Sequence, residues 1–403
     1  MMHSYLRLTL EQPIRSGGIK IGGGYLDTQD CLPGSVLRGA FAEWMKSHGR
    51  ASEIRRAVAG LRIGSFFPTT DPQAYSLPLP ATAVKCKLHP GFKGTDATLQ
   101  SHGIRDSLLA AVAYSELVRL GGRFPVPFLL RCSEEKSPGE KCYQRMERAK
   151  GYYIRAGSAY REIKPGEILQ TKVSLSRYRR AAQEAQLYRV VSIPPKIGDG
   201  QEQLYFVGRV WASDSQRVDD LCRALNEVGV GGLTTRGFGR VRCEPVQITL
   251  KPLAQRVLDF NSKLAQIWQE LADLAQQCGS ILPAQPPGTY FSLDLLSPAV
   301  LTDPEDIPTL VATLEYQGAP VQPIWWAVQG VFLGGFSTAW GLPKPTALAV
   351  AAASTYVFRM DLPATSIVPW LEELERRGIG RRTDEGLGEI LICHPFHEEV
   401  KPV

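Results

Sequence analysis

The chain repeats itself at a constant offset of 149 residues. Residues 203–211 (QLYFVGRVW) read as a strand, 214–228 as a helix with Val218, Leu221, Cys222 and Leu225 on one face, and 240–249 as a second strand. Residues 355–393 carry the same succession. A strand TYVFRMDL precedes a helix whose Ile367, Trp370, Leu371 and Leu374 fall on the matching face, and a glycine-rich loop and the strand EILIC follow. The glycines coincide as well, at Gly229/Gly378, Gly231/Gly380, Gly237/Gly386 and Gly239/Gly388. Solenoid repeats recur every 20–50 residues or so, so a period this long implies tandem domains instead.

Each copy needs a preceding half. In the first, SYLRLTLEQ (4–12) is a strand, and LPGSVLRGAF (32–41) opens a helix running to about His48, with Ser35 as N-cap or first-turn residue. In the second, TYFSLDLLSP (289–298) is the strand. The resulting β-α-β-β-α-β order gives an α+β chain of two tandem ferredoxin-like domains of the RNA-recognition-motif type. The first spans 1–250 with a large insertion at about 82–185, and the second spans 289–403. Residues 251–288 form a helical and Pro-rich linker. Its amphipathic stretch, 252–278, carries Leu258, Leu264, Ile267, Trp268, Leu271 and Leu274 and ends before Leu282-Pro-Ala-Gln-Pro-Pro-Gly288.

Composition narrows the class. The 403 residues, 44% hydrophobic and 21% charged, describe an ordinary globular protein and exclude a disordered or fibrous chain. No apolar run reaches the ~18 residues of a membrane span, and the N-terminus lacks the apolar core of a secretory signal, so a cytoplasmic protein is expected. Eight scattered cysteines fit reduced thiols. The nearest approach to a metal site is Cys132-x9-Cys142 with Cys86 and His89 upstream; tight ligand pairs are absent, so neither metal nor cofactor is expected. The net charge of +6 is concentrated. Residues 131–190 hold fourteen Lys/Arg against seven Asp/Glu, which suggests a local polyanion footprint.

The stretch Gly229–Arg240 is the most informative local feature. Its glycines allow left-handed backbone and close approach of another chain segment, and Thr234, Thr235, Arg236 and Arg240 supply phosphate donors. It follows a helix and precedes a strand, the reverse of a dinucleotide-binding turn.

These features together resemble the RAMP superfamily of CRISPR effector subunits. The resemblance rests on the helix start Pro33, Gly34, Ser35, Arg38, Gly39 and on the G-x-x-x-R-G-x-G loop Gly232-Leu-Thr-Thr-Arg236-Gly237-Phe-Gly239. SLPLPATAVKCK (76–87), HGIRDSLL (102–109), SLSRYRRAAQEAQLYRV (174–190) and GGFSTAWGLPKP (334–345) narrow it to the Csx-ten family, a Cas-five-group subunit of type III-D complexes. The resemblance implies a non-catalytic subunit that holds the repeat-derived 5′ handle of the guide RNA. Its implied partners are backbone RAMP subunits and the large polymerase/cyclase-like subunit. Arg38 at a helix start, the amides of Gly231, Gly232 and neighbours up to Gly239, and Arg236 and Arg240 are expected to cradle phosphates, extended by Arg177, Arg179 and Arg180. Tyr178 and Phe238 are candidates for stacking on splayed bases, with core packing as the competing role.

Catalysis is the reading from another class. Within the superfamily, slicing subunits carry an Asp before the PGS-type helix, a place Asp27 or Asp30 can occupy, although a turn Asp is the simpler reading. No histidine lies in either glycine loop. His102, before Arg105-Asp106, is the one candidate acid or base, set against a solvated helix-start histidine. A stand-alone tandem recognition-motif protein is disfavoured, because no aromatic-rich strand of that type is present.

Overall fold

The computed structural model describes all residues except 1, 18–24, 94–100, 138, 158, 177, 199–201, 338–340 and 403. It is a mixed α/β chain organised around two four-stranded antiparallel sheets. In the first, Met2–Leu10 lies between Val241–Val246 and Tyr205–Ala212, and Leu61–Thr69 closes the outer edge. Chain order is strand, helix, strand, strand, helix, strand, the helices being Gly34–Ser47 and Ser215–Val228. Both helices pack apolar stripes on one face of this sheet, with Leu37, Phe41, Met45, Leu221 and Leu225 buried there. The strand Leu61–Thr69 is buried at every position, because the second half of the chain covers the face the helices leave open.

The second sheet follows the same spatial plan. Thr289–Leu295 lies between Ile390–Ile392 and Thr355–Met360, with Trp325–Ala327 beyond. Its helix Ala364–Arg377 stands 149 residues after Ser215–Val228, and the 3-10 turn Thr383–Glu385 stands 149 after Thr234–Arg236. The repeat extends to backbone angles. Gly229 and Gly378 have φ of 78° and 73°, and Leu233 and Arg382, both non-glycine, have φ of 65° and 60°.

One half of the second copy departs from the order expected from sequence. Among the described residues, 296–324 hold only short strands and no helix. The face of this sheet is covered instead by Leu253–Gln277, the segment read as part of a linker. Its Val257, Phe260, Leu264 and Trp268 join the same core as Tyr290, Phe291 and Phe358, and Asn261 brackets the backbone of Tyr290, accepting from its N–H at 2.9 Å and donating to its C=O at 2.8 Å. Leu258, assigned to the apolar face, is 54% exposed. A helix from the insertion, Leu108–Arg119, joins this core through Leu108, Leu109, Val112 and Leu117. Among the described residues no helix is long and apolar enough to cross a membrane.

Candidate nucleic-acid interface

The first glycine loop is anchored to the chain that follows the first strand. Gly232 N–H donates to the Arg15 carbonyl at 2.9 Å, Gly239 N–H to the Pro13 carbonyl at 2.9 Å, and Arg236 N–H to the Leu233 carbonyl at 2.8 Å. These amides, expected to face phosphate, are therefore already spent. Gly231 also lies against the Arg15 carbonyl, where a Cβ would collide. What the loop offers outward is side chains: Thr234, Thr235 and Arg236 are exposed, as is the backbone of Gly237. Arg240 is exposed too, and pairs with Glu11 at 3.0 Å.

A β-hairpin from the basic segment stands beside this loop. Its arms are Ile168–Leu175 and Ala182–Ser192, and Lys172 faces Tyr188 across them. This one cross-strand pair meets the loop at two points. Tyr188 Oη accepts from Arg236 Nη1 at 3.0 Å, and Lys172 Nζ sits 4.5 Å from the centre of the Phe238 ring. Phe238 itself is buried, so its role is packing under the hairpin and not base stacking. At the hairpin tip Tyr178 is 97% exposed, and Arg179 and Arg180 are exposed beside it. Arg180 takes φ of 49° where its N–H donates to the Ser176 carbonyl, which closes the turn. Arg177 lies outside the described residues. The structure thus brings the glycine loop and the basic segment into one surface, a juxtaposition the linear order does not reveal.

The second glycine loop buries Gly386 and Gly388 and leaves Arg381 and Asp384 exposed. Its Asp384 accepts an ion pair from Arg38 Nη1 at 3.0 Å, and Gly386 is pressed against Gly34 and the Ile63 carbonyl. Glu385 bonds to Arg382 at 2.8 Å and to Lys344 at 2.6 Å, which hold its carboxyl down at about 2. Arg38 is therefore committed to a protein partner. Ser35 is in the first turn of the helix Gly34–Ser47, whose N-cap is Pro33, with no capping side chain; the cap role considered for Ser35 does not hold.

Asp27 lies close enough to Arg15, the residue whose carbonyl anchors Gly232, to act on its charge. Asp27 accepts from the N–H of the next residue, Thr28, at 2.8 Å. Desolvation of its carboxyl by the surrounding protein, and then the Asp27 charge, raise the pKa of Asp30. His102 is not a solvated helix-start residue. It is buried, its ring stacked on His89 at 4.1 Å and its Nδ1 3.2 Å from Cys132 Sγ.

Comparison with known proteins adds the following. No curated protein matches the sequence. Among solved structures, a chain of the type III-B Cmr-β complex bound to cognate target RNA is similar at 13% identity, with 92% of this chain and 89% of that chain covered and a TM-score of 0.39. A chain of the Csm3–Csm4 subcomplex of a type III-A CRISPR-Cas interference complex is similar at 14% identity, 90% and 95% coverage and a TM-score of 0.35. A chain of a Csm1–Csm4 cassette in complex with pppApA is similar at 13% identity, 88% and 87% coverage and a TM-score of 0.30. The RAMP superfamily description matches residues 8–242, more than half of the chain, and takes in both helices of the first sheet, the strands Leu61–Thr69 and Tyr205–Ala212 and the glycine loop. The chain belongs to the RAMP superfamily.

Proposed function

We propose that this chain is a non-catalytic RNA-binding subunit of a type III CRISPR ribonucleoprotein, of the Csx-ten type. In that role it holds the repeat-derived 5′ handle of the guide RNA between backbone RAMP subunits and the large polymerase-like subunit. Each sheet with its covering helices is read as a ferredoxin-like unit, the second using Leu253–Gln277 in place of its own first helix. The observation that carries the reading is the docking of the Lys172–Tyr188 pair on Arg236 and Phe238. It joins an exposed Arg/Thr loop and an Arg/Tyr hairpin tip into one cationic, partly aromatic track, which suits a single-stranded polyanion. Membership of the RAMP superfamily supports the same reading. The second loop, whose acids are bound to Arg38, Arg382 and Lys344, leaves RNA contact to the first.

The test is to incubate the purified chain with guide-length RNA, with and without Mg2+, and to follow both binding and RNA length. Salt-sensitive binding with intact RNA is expected. Mg2+-dependent cleavage that disappears in Asp27→Ala or Asp30→Ala would replace this reading with the ribonuclease one, and absence of binding at low salt would end both.

A further inference from the structure

The insertion contains a small core of its own. Its fully buried members are Val84, Cys86, Cys132, Cys142 and Met146, so three of five are cysteines. Such a cluster buries too little apolar surface to hold four chain segments together. Yet four segments meet here: the strand Ala83–Cys86, residue His102 just before the strand Ile104–Asp106, and the two arms of a hairpin that carry Cys132 and Cys142 at diagonal positions, Cys132 opposite Gln144 and Cys142 opposite Glu134. Cys132 N–H donates to the Gln144 carbonyl, and Cys142 N–H donates to the Glu134 carbonyl at 2.8 Å, which fixes the arms in register.

The four side chains converge. Their potential ligand atoms, Sγ of Cys86, Cys132 and Cys142 and one ring nitrogen of His102, all lie within 4.8 Å of one another, and all four residues are buried. Cys86 Sγ and Cys142 Sγ are 3.8 Å apart, and His102 Nδ1 is 3.2 Å from Cys132 Sγ. A tetrahedral Zn2+ with Zn–S of about 2.3 Å and Zn–N of about 2.0 Å has edges of roughly 3.8 Å between sulfurs and 3.6 Å between sulfur and nitrogen. A disulfide needs sulfurs at about 2.0 Å, far closer than Cys86 and Cys142 stand. We propose that Cys86, His102, Cys132 and Cys142 form a structural zinc site, of three thiolates and one imidazole, that staples the hairpin 130–146 to the sheet of the insertion.

Binding releases three thiol protons, and the Zn2+ with three thiolates and a neutral imidazole carries a net charge of −1. Cations stand ready beside it. Arg105 donates to Ser133 Oγ at 2.8 Å and pairs with Glu134, which also takes Lys93 and Lys401. The soft sulfur-rich donor set selects zinc over Mg2+ or Ca2+, and four protein ligands leave no open position for catalysis.

The experiment is elemental analysis of the full-length protein purified from zinc-supplemented medium, with X-ray absorption at the zinc edge. One zinc per chain, with three sulfurs and one nitrogen in its first shell, is expected. Cys132→Ser and Cys142→Ser should lose the metal, whereas His102→Cys, which completes an all-thiolate set, should keep it. Should the serine variants fail to fold, limited trypsin digestion of the unaltered protein supplies the readout. A strong chelator should expose Arg131, Lys136, Lys141 and Arg145 to cleavage at least several-fold faster, and added Zn2+ should restore protection. Folded protein with no bound zinc after Zn2+ addition, a different metal at full occupancy, or a Cys86–Cys142 disulfide would overturn the proposal.

Discussion

Arg209 of the first sheet and Glu389, directly after the second glycine loop, form an ion pair at 2.9 Å with both side chains buried. Glu389 also accepts from the Ser65 N–H at 2.9 Å, and Arg209 Nη2 donates to the Ile390 carbonyl at 2.9 Å. The pair therefore ties two strands of the first sheet to the last strand of the second. Glu389→Ala should strand the guanidinium without a partner and cost about 3–5 kcal/mol, read from urea denaturation. The double variant Arg209→Met/Glu389→Gln should recover part of that loss, because neither member of the pair is left behind as a buried charge. Equal losses in the two proteins would show that lost hydrogen bonds and not charge set the cost.

His397 predicts a pH dependence. Burial alone would lower its pKa, but Asp294 at 3.0 Å and Asp106 at 3.1 Å flank its two nitrogens and raise it to about 10. A base with a raised folded pKa stabilises fully below its unfolded value of about 6.5 and loses that contribution as pH climbs toward 10. His394, close by with its ring centre 5.8 Å away, behaves oppositely: burial lowers it to about 3, so acidification below about 6.5 favours the unfolded chain. Urea midpoints should therefore peak near pH 6.5. His397→Gln should flatten the alkaline limb and leave the acid limb in place.

If the chain binds RNA as proposed, the hairpin tip should set the salt dependence of that binding. Changing Arg177, Arg179 and Arg180 together to Ala should weaken binding for every RNA sequence alike. Three lost phosphate contacts at about 0.7 each on single-stranded RNA should lower the log–log salt slope by about 2. Fluorescence anisotropy between 50 and 300 mM salt, roughly the range over which such slopes are read, checks this. An unchanged slope would assign these arginines to a solvated face.

The two glycine loops should separate in their effects. Arg236→Glu places an anion on the exposed loop and should lose at least several-fold in RNA affinity. Glu385→Gln, 149 residues on, weakens the pairs with Arg382 and Lys344 and should lower the melting temperature while leaving RNA affinity unchanged. Equal losses of affinity would mean that both copies bind RNA.

Much of the backbone plan was legible in the residues themselves. The apolar period of Val218, Leu221 and Leu225 marks a helix wherever it occurs, and its recurrence at Ile367, Trp370 and Leu374 predicts the second helix, Ala364–Arg377. Glycines spaced alike adopt the same left-handed angles in both loops, because that choice depends on a missing Cβ and its nearest neighbours. Partnership was not legible. Arg38 and Asp384, or Cys86 and His102, meet only after strands far apart in sequence have paired, and nothing in their local spacing encodes the distance between them. The same limit applied to Phe238, whose burial is decided by the hairpin laid over it, and to Leu253–Gln277, whose amphipathic pattern shows that one face must be covered but not by which sheet. Local pattern determined which conformations each segment adopts. Only tertiary packing decided which charges were neutralised, which thiols converged and which glycine loop was left facing solvent, since these depend on what covers each surface once the sheets have closed.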